Sequence, residues 1–304
     1  MNELIKDLGL LINATLIATP PLLLAALGSC FSERCGVVNI GIEGMMTIGA
    51  FTGAVMGLTT GNGWIAFLCA GLAGALFGLI HAFVCISCHA DQTIAGTAIN
   101  FLGPGLALFL CKAMYNNSSD TPAMDPSCKL PKLFEGVFPT GSFWNNVLNV
   151  YAVAYLVFIL AFVCWFVFYK TKFGAHLRAV GEHPEACESL GIDVYKVRYT
   201  CVILSGFFAG LAGIVLLSRT NSGMGNAGLG YEFKVITCVV LGGVSVAGGS
   251  GKMSGVVAGT FIIGALNNGM VLMNINTWIQ DIVLGIVLVL AVGFDCIQKK
   301  RQAN

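Results

Sequence analysis

Three short motifs in the chain have the spacing of known chemical sites. Cys85, Cys88 and His89 match the attachment pattern of c-type haem. The glycines of 223–228 satisfy a dinucleotide fingerprint, and 248–252 has part of the pattern of a phosphate-binding loop. Each motif would imply a different chemistry, so the context of each decides whether it predicts a site.

None of the three motifs has the context that its chemistry needs. The glycine fingerprint follows an apolar run of helical length and not a β-strand, and the phosphate loop would need Gly and Ser or Thr where the chain has Val246 and Met253. Haem attachment requires the exported side, whereas the Cys85 turn is predicted to be cytoplasmic. We therefore expect no catalytic residue, no metal and no cofactor on this chain, and any ATP must be used by another chain.

Polar side chains inside or beside apolar runs are more informative. Burying them in hydrocarbon costs several kcal/mol unless they are paired or face water. Asn39 and Glu43 are four residues apart, which predicts one face of a helix. A water-lined translocation path and simple hydrogen bonding between helices both explain such residues. The candidates are Asn39, Glu43, Gln92, Thr93, Asn100, Asn267 and Asn268.

The elements that must position these side chains are membrane spans. The chain has 304 residues, of which 56% are hydrophobic and only 10% charged, whereas about 25% of a soluble domain is charged. A net charge of +1 offers no field for nucleic acid. We predict an all-α polytopic membrane protein, one domain over 1–304, with about nine transmembrane helices and a broken or re-entrant segment. The predicted spans are 8–29, 37–58, 64–86, 93–114, 147–168, 199–218, 255–273 and 278–297, with a short ninth at 235–246 that ends in glycines.

Lys and Arg set the predicted orientation. They accumulate in 169–198 and in the tail at 299–301, which predicts that both segments are cytoplasmic. Five spans precede 169–198, so the N-terminus and the loop 115–146 are predicted to be external. No basic residue lies near the middle of any predicted span, which favours a neutral solute over a zwitterion.

Glycines recur at four-residue spacing within several predicted spans. Gly74 and Gly78 form one pair, and Gly206 and Gly210 form another. Spacing of this kind lets transmembrane helices approach closely. It favours packing within the chain over an interface between subunits.

Long stretches of the chain resemble one family of permeases. The stretches are RAVGEHPEACESLGIDVYKVRY with LSGFFAGLAGIV, FSERCGVVNIGIEGMMTIGAF with ADQTIAGTAINFLGPGLALFL, and GYEFKVITCVVLGGVSVAGGSGKMSGVVAGTFIIGALNNG. They resemble the integral permeases of ABC importers for ribose-type sugars, nucleosides and branched-chain amino acids. The N-terminal stretches look most like the nucleoside branch, and the C-terminal stretch is closer to the sugar permeases.

The resemblance implies a role for the loop at 174–197. In that family the corresponding loop is the coupling element that receives the motion of the ATPase. From the residues alone, Pro184 predicts the start of a short helix and Gly191 its end, which suits either a docking element or a solvated connector. The resemblance implies coupling roles for Gly174, Glu182, Pro184, Ala186, Leu190, Gly191 and Ile192.

The resemblance also implies a complete transport system. Its other parts would be a cytoplasmic ABC ATPase, a second permease, identical or related, and an external binding protein or lipoprotein. The chain would lie in the bacterial inner membrane, among lipid, and pass a small solute without chemistry of its own. The resemblance favours a purine nucleoside first, with a ribose- or galactose-type sugar as the alternative, and then a branched-chain amino acid or a vitamin. An ion-coupled secondary transporter is the alternative of another class.

Overall fold

The structure is a computed structural model that describes residues 2–123, 134, 137–139, 143–220, 228–245, 249 and 251–303. Every regular element in this part of the chain is a helix. The helices are α1 (Asn2–Arg34), α2 (Ile42–Thr60), α3 (Gly63–Ala82, continued as a π-helix over Phe83–Ser87), α4 (Gln92–Met114), α5 (Phe143–Leu148), α6 (Ala152–Lys170), α7 (Lys172–Glu182), α8 (Pro184–Ser189), α9 (Val194–Thr220), α10 (Tyr231–Leu241), α11 (Met253–Leu272) and α12 (Thr277–Ala303).

Among the described residues, eight helices are long and apolar enough to cross a membrane, which confirms the predicted polytopic all-α class. They are α1, α2, α3, α4, α6, α9, α11 and α12. The ninth predicted run, 235–246, needs correction, because α10 begins at Tyr231 and ends at Leu241. Val246 lies outside the described residues. An eleven-residue helix is about 16 Å long and cannot cross the hydrocarbon alone.

The second predicted span also begins later than its apolar run. The run starts at Val37, but the stretch 37–40 is non-helical and α2 begins only at Ile42. Gly36 lies beside Arg198 of α9, and Asn39 contacts Ser205, which is two turns further along the same helix. The extended stretch therefore carries the chain into the membrane, and α2 continues in the same direction.

A second non-helical turn, at 228–230, precedes α10, and α10 runs in the direction opposite to α2. The Gly228 amide donates to Thr47 Oγ1 at 3.2 Å and the Gly230 amide donates to Glu43 Oε2 at 2.8 Å, so this turn lies beside the start of α2. Beyond the other end of α10, the Gly249 amide donates to the Glu33 carbonyl at 3.2 Å. Hence α2 and α10 begin at the same depth and run towards opposite faces.

The two breaks belong to two similar quartets of helices. In α1–α4 and in α9–α12 a long helix is followed along the chain by a helix that begins within the membrane and then by two further helices. Equivalent helices make equivalent contacts, since α1 packs on α11 as α9 packs on α3, and α2 packs on α4 as α10 packs on α12. The order and the opposite directions are those of inverted repeats in transporters.

The contact between α3 and α9 is made by backbone. Gly74 and Gly78 lie against Gly206 and Gly210 within the chain, as their spacing predicts. A Cβ atom added at Gly78 would lie only 2.9 Å from the Val202 carbonyl oxygen. In lipid, where helices gain little by leaving solvent, such close backbone contact supplies much of the attraction.

The helix ends fall on two faces of the molecule. The end of α1 at Arg34 lies beside Glu182 at the end of α7, and the Met253 amide at the start of α11 donates to the Tyr169 hydroxyl at 3.2 Å. We call this side the Arg34 face. The last helix, α12, returns to it, whereas α1 begins on the opposite side. Which side is cytoplasmic stays a prediction from the distribution of Lys and Arg.

Candidate translocation site and coupling element

The extended stretch before α2 has its polar backbone groups satisfied by side chains. Non-helical backbone at membrane depth needs such partners, because no water is available in the hydrocarbon. Three of the predicted amides do this work, together with one histidine. The contacts are Gln92 Oε1 with the Val38 amide (2.8 Å), Asn100 Nδ2 with the Ile40 carbonyl (3.0 Å), Asn39 Oδ1 with the Gly41 amide (3.1 Å) and His81 Nε2 with the Val38 carbonyl (3.3 Å).

Two acidic residues face each other where α2 and α10 begin. Glu43 is the second residue of α2, and Glu232 is the second residue of α10. The Glu43 carboxylate accepts from the Gly230 amide, and Asn100 donates to the Glu232 carboxylate. A carboxylate near a helix N-terminus is favoured by the helix dipole. We call the cluster of Glu43, Asn100, Gly230 and Glu232 the crossing.

The backbone of Gly230 allows this arrangement. Gly230 precedes α10 with φ of +74°, a conformation that residues with a side chain rarely adopt, and a Cβ there would have open space around it. The glycine therefore serves the turn and not close packing. Through this turn the amide reaches the carboxylate of Glu43 on α2.

The structure brings together only part of the predicted path. The prediction that Asn39 and Glu43 share a helix face is wrong, because Asn39 precedes α2 and its amide donates to Ser205 Oγ at 2.9 Å. Thr93 is exposed, and its backbone amide is bound by the Asp91 side chain that caps α4.

The remaining two amides of the prediction lie on another helix. Asn267 and Asn268 belong to α11, and in the described part of the chain no hydrogen bond joins them to the crossing. Asn267 Oδ1 and Asn268 Nδ2 are buried without a partner among the described residues. A role for them in the path stays a prediction.

Sequence reasoning missed Glu232 and Lys234. Gly41-Ile42-Glu43 and Gly230-Tyr231-Glu232 repeat one short pattern, Gly-x-Glu, at the start of α2 and of α10, and this signal was present in the sequence. The premise that no basic residue lies at mid-membrane is wrong, because α10 begins earlier than predicted, within the membrane, and includes Lys234. The argument for a neutral solute therefore loses that support.

The predicted coupling loop forms two helices. α8 begins at Pro184, as predicted, and the chain turns at Gly191, where φ is +78° and the amide donates to the Glu188 carbonyl at 2.9 Å. Ala186 is exposed and Leu190 is 80% exposed, so both present surface to solvent.

The other predicted coupling residues hold the loop to the membrane helices. The Gly174 amide donates to Thr171 Oγ1 at 3.2 Å, and a side chain at Gly174 would collide with carbonyl oxygens at the end of α6. The Ile192 amide donates to the Cys187 carbonyl at 3.0 Å. Asp193 then begins α9 by accepting from the Lys196 amide and pairing with its ammonium group, and both contacts hold the pKa of Asp193 below its ordinary value.

Arg34 joins α7 to Gly249, which lies between α10 and α11. One guanidinium nitrogen donates to the Gly249 carbonyl, and the other lies 3.7 Å from Glu182 Oε1. A side chain at Gly181 would collide with the Arg34 carbonyl, so α7 lies directly on the end of α1. Gly249, which belongs to the incomplete phosphate-loop pattern, is thereby held beside α7.

A polytopic helical chain in which α2 and α10 begin within the membrane and run to opposite faces has the architecture of a membrane permease. The chain belongs to the family described as "Branched-chain amino acid transport system / permease component", which matches residues 11–292.

Several curated proteins are similar to most of the chain. The guanosine ABC transporter permease of Bacillus subtilis is 44% identical over 225 residues, 71% of this chain and 69% of that protein. The nucleoside ABC transporter permease of Lactococcus lactis is 34% identical over 70% of this chain and 68% of its own length. The ribose import permease of Escherichia coli is 32% identical over 249 residues, 81% of this chain and 74% of that protein. No solved structure matches the chain.

Proposed function

We propose that the chain is the permease subunit of an ABC importer that carries a purine nucleoside across the cytoplasmic membrane. The similarity to a guanosine and a nucleoside permease, each over more than two thirds of the chain, supports the solute. Its partners are a cytoplasmic ATPase, a second permease, identical or related, and an external binding protein or lipoprotein. The chain lowers the barrier to crossing and leaves ATP hydrolysis to the ATPase.

The observation that carries the transport function is the crossing. Two helices begin at the same depth, run to opposite faces, and place Glu43 and Glu232 opposite each other. Transporters use such discontinuous helices to build a solute site near the middle of the bilayer. The amides of Asn39, Gln92 and Asn100 hold the break, and the carboxylates and helix ends offer hydrogen-bonding groups to a solute.

Coupling follows from the contacts of Arg34. The ATPase presses on α8 through exposed groups such as Leu190, and α7 passes the displacement to Arg34 through Glu182. Arg34 holds the Gly249 segment, which leads from the end of α10 to the start of α11. A shift there moves α10 relative to α2, so the crossing opens first to one face and then to the other.

The proposed orientation follows the positive charges. With Lys and Arg concentrated on and beside α7 and α8, the Arg34 face is cytoplasmic, the N-terminus is external and the C-terminus is cytoplasmic. This places α7 and α8 where an ATPase would dock. The external segment that follows α4 is then on the side of the binding protein.

A ribose-type sugar is the second candidate solute. The ribose permease of E. coli matches more of the chain than either nucleoside permease, although at lower identity. Both solutes carry a ribose or similar ring with several hydroxyl groups. The difference between them is the base.

Uptake into proteoliposomes tests the proposal. The chain is reconstituted with its ATPase, second permease and binding protein, and uptake of labelled guanosine is followed with and without ATP. We expect ATP-dependent uptake that unlabelled adenosine reduces and ribose does not. Uptake of ribose without guanosine would assign the sugar branch, and uptake driven by a proton or sodium gradient without the ATPase would overturn the ABC mechanism.

A further inference from the structure

A groove between α10 and α12 contains two charges at membrane depth. It encloses a cavity of about 350 Å³ with a mostly apolar wall. Its lining residues are Gly230, Phe233, Lys234, Thr237, Asp281, Leu284, Gly285 and Leu288. We call it the α10–α12 groove.

The two charges indicate that this groove faces water. Lys234 is half-buried, with its ammonium nitrogen 5.1 Å from the centre of the Tyr231 ring, and Asp281 is exposed on α12. In the described part of the chain the two charges are too far apart to form an ion pair. Ionisable residues within membrane segments face a bundle interior or a water-filled cavity, because hydrocarbon penalises them. A lipid-filled groove would leave both charges in hydrocarbon.

The groove is continuous with the crossing. Gly230 lines the groove, and its amide is the donor to Glu43. Glu232 and Lys234 follow Gly230 by two and four residues and lie at the start of α10. A solute that leaves the crossing along α10 therefore enters the groove.

We infer that the α10–α12 groove is a nucleoside subsite of the solute path, with Phe233 stacking on the base and Lys234 and Asp281 hydrogen-bonding to it or to the ribose. This inference rests on the proposed function. Phe233 is 58% exposed although it lies on a helix that packs on four others, so its ring has a free face. A base offers an aromatic face together with donors and acceptors, whereas a sugar has no aromatic face. The ammonium and carboxylate supply the matching donor and acceptor.

Thiol accessibility tests the groove without assuming a solute. In the reconstituted complex, Leu288→Cys places a thiol in the groove, and Leu290→Cys places one on the opposite side of α12, where Leu290 is exposed. A charged methanethiosulfonate reagent, mapped by mass spectrometry, should modify the first variant and not the second. Guanosine should protect the first. Equal modification of both variants, or of neither, would overturn the aqueous groove.

Kinetics test the stacking residue. Phe233→Leu should raise the KM for guanosine about 10-fold, because losing the stacking of a base on an aromatic ring weakens binding by about that factor. Phe233→Tyr keeps the ring and should keep the wild-type KM. Phe162→Leu, on an exposed part of α6, is the matched control and should leave KM unchanged. Asp281→Asn should also raise KM.

The outcomes separate this inference from the proposed function. If the wild-type complex takes up guanosine and Phe233→Leu has an unchanged KM, the subsite is wrong and the proposed function stands. If the wild-type complex takes up ribose only, the proposed solute is wrong. Protection of Leu288→Cys by ribose would then assign the groove to a sugar and overturn the stacking role of Phe233.

Discussion

The guanidinium of Arg34 lies 3.7 Å from the carboxylate of Glu182, where the last turn of α1 meets the last residue of α7. Arg34 is almost fully buried, whereas the Glu182 side chain is 57% exposed. The buried partner also binds the Gly249 carbonyl, so the pair joins a solvent-facing helix to a loop between two membrane helices. Through this contact, α7 is linked to a residue that follows α10.

Reversing the charge of Glu182 should uncouple transport. Glu182→Lys places two positive charges together and should abolish stimulation of the ATPase by the binding protein, with a change of no more than about 1 kcal/mol in stability because the side chain is exposed. ATPase activity and membrane levels are measured together. Glu185→Lys reverses the charge of a similarly exposed side chain on α8 and is the control. An equal loss in both variants would assign the effect to surface charge and not to the pair with Arg34.

Replacing Gly191 with proline should also uncouple transport. Proline fixes φ near −65° and has no amide hydrogen, whereas Gly191 has φ of +78° and donates to the Glu188 carbonyl. The end of α8 should be lost and uptake reduced with normal membrane levels. Gly191→Asn tolerates the positive φ and keeps the amide, so it should retain most of the uptake. Normal uptake by the proline variant would mean that α8 is only a connector.

The backbone contact between α3 and α9 should not tolerate a larger residue. Gly206→Leu should lower the free energy of unfolding by more than about 3 kcal/mol or prevent accumulation, because the added atoms meet the backbone of Gly74 and Gly78. Thermal unfolding in detergent measures this. Gly105→Leu has open space around its Cβ and should remain close to wild type. Similar melting temperatures for the two variants would contradict close packing at this contact.

Asn100 should matter for stability more than Gln92. Asn100→Ala leaves the Gly44 amide, the Ile40 carbonyl and the Glu232 carboxylate without this partner, whereas Gln92→Ala removes one bond. At about 1–3 kcal/mol for each buried group left unpaired, Asn100→Ala should have the lower melting temperature. A stable Asn100→Ala protein with altered solute selectivity would instead favour the path alternative.

The proposed orientation predicts which thiols an impermeant reagent reaches. In a variant with Cys88, Cys128 and Cys296 replaced by Ala, Ser118→Cys should be labelled in cells stripped of any outer barrier, and Ser189→Cys should be labelled only after permeabilisation. Both serines are exposed, while Cys187 is buried and Cys128 lies outside the described residues. The reverse labelling pattern would invert the assignment of the Arg34 face.

The apolar runs were sufficient to predict the long helices, because length and composition decide whether a segment spans hydrocarbon. The break before α2 was not predictable in this way. Residues 37–40 are as apolar as the helix that follows, and their extended form depends on Gln92 and Asn100, which lie far away in the sequence. No local pattern in the chain records those partners.

The missed acidic residue had a signal that the apolar runs concealed. Glu232 follows the same Gly-x-Glu pattern as Glu43, but it lies before the predicted ninth span and was therefore not considered a membrane residue. The contacts of α7 and α8 were likewise predictable only in part. Pro184 and Gly191 predicted α8 locally, whereas the contact of α7 with Arg34 joins segments separated by four predicted spans.

The backbone contact between α3 and α9 also sets an order for synthesis. The glycine face of α3 enters the membrane before its partner α9 is synthesised. In the same way α1 is synthesised before its partner α11, because each repeat packs on the other through equivalent helices. The first repeat therefore leaves the translocon with its small-residue surfaces still open to lipid. A chain interrupted before α9 lacks the partner for those surfaces, and the cell's membrane quality control would encounter it as an unassembled half.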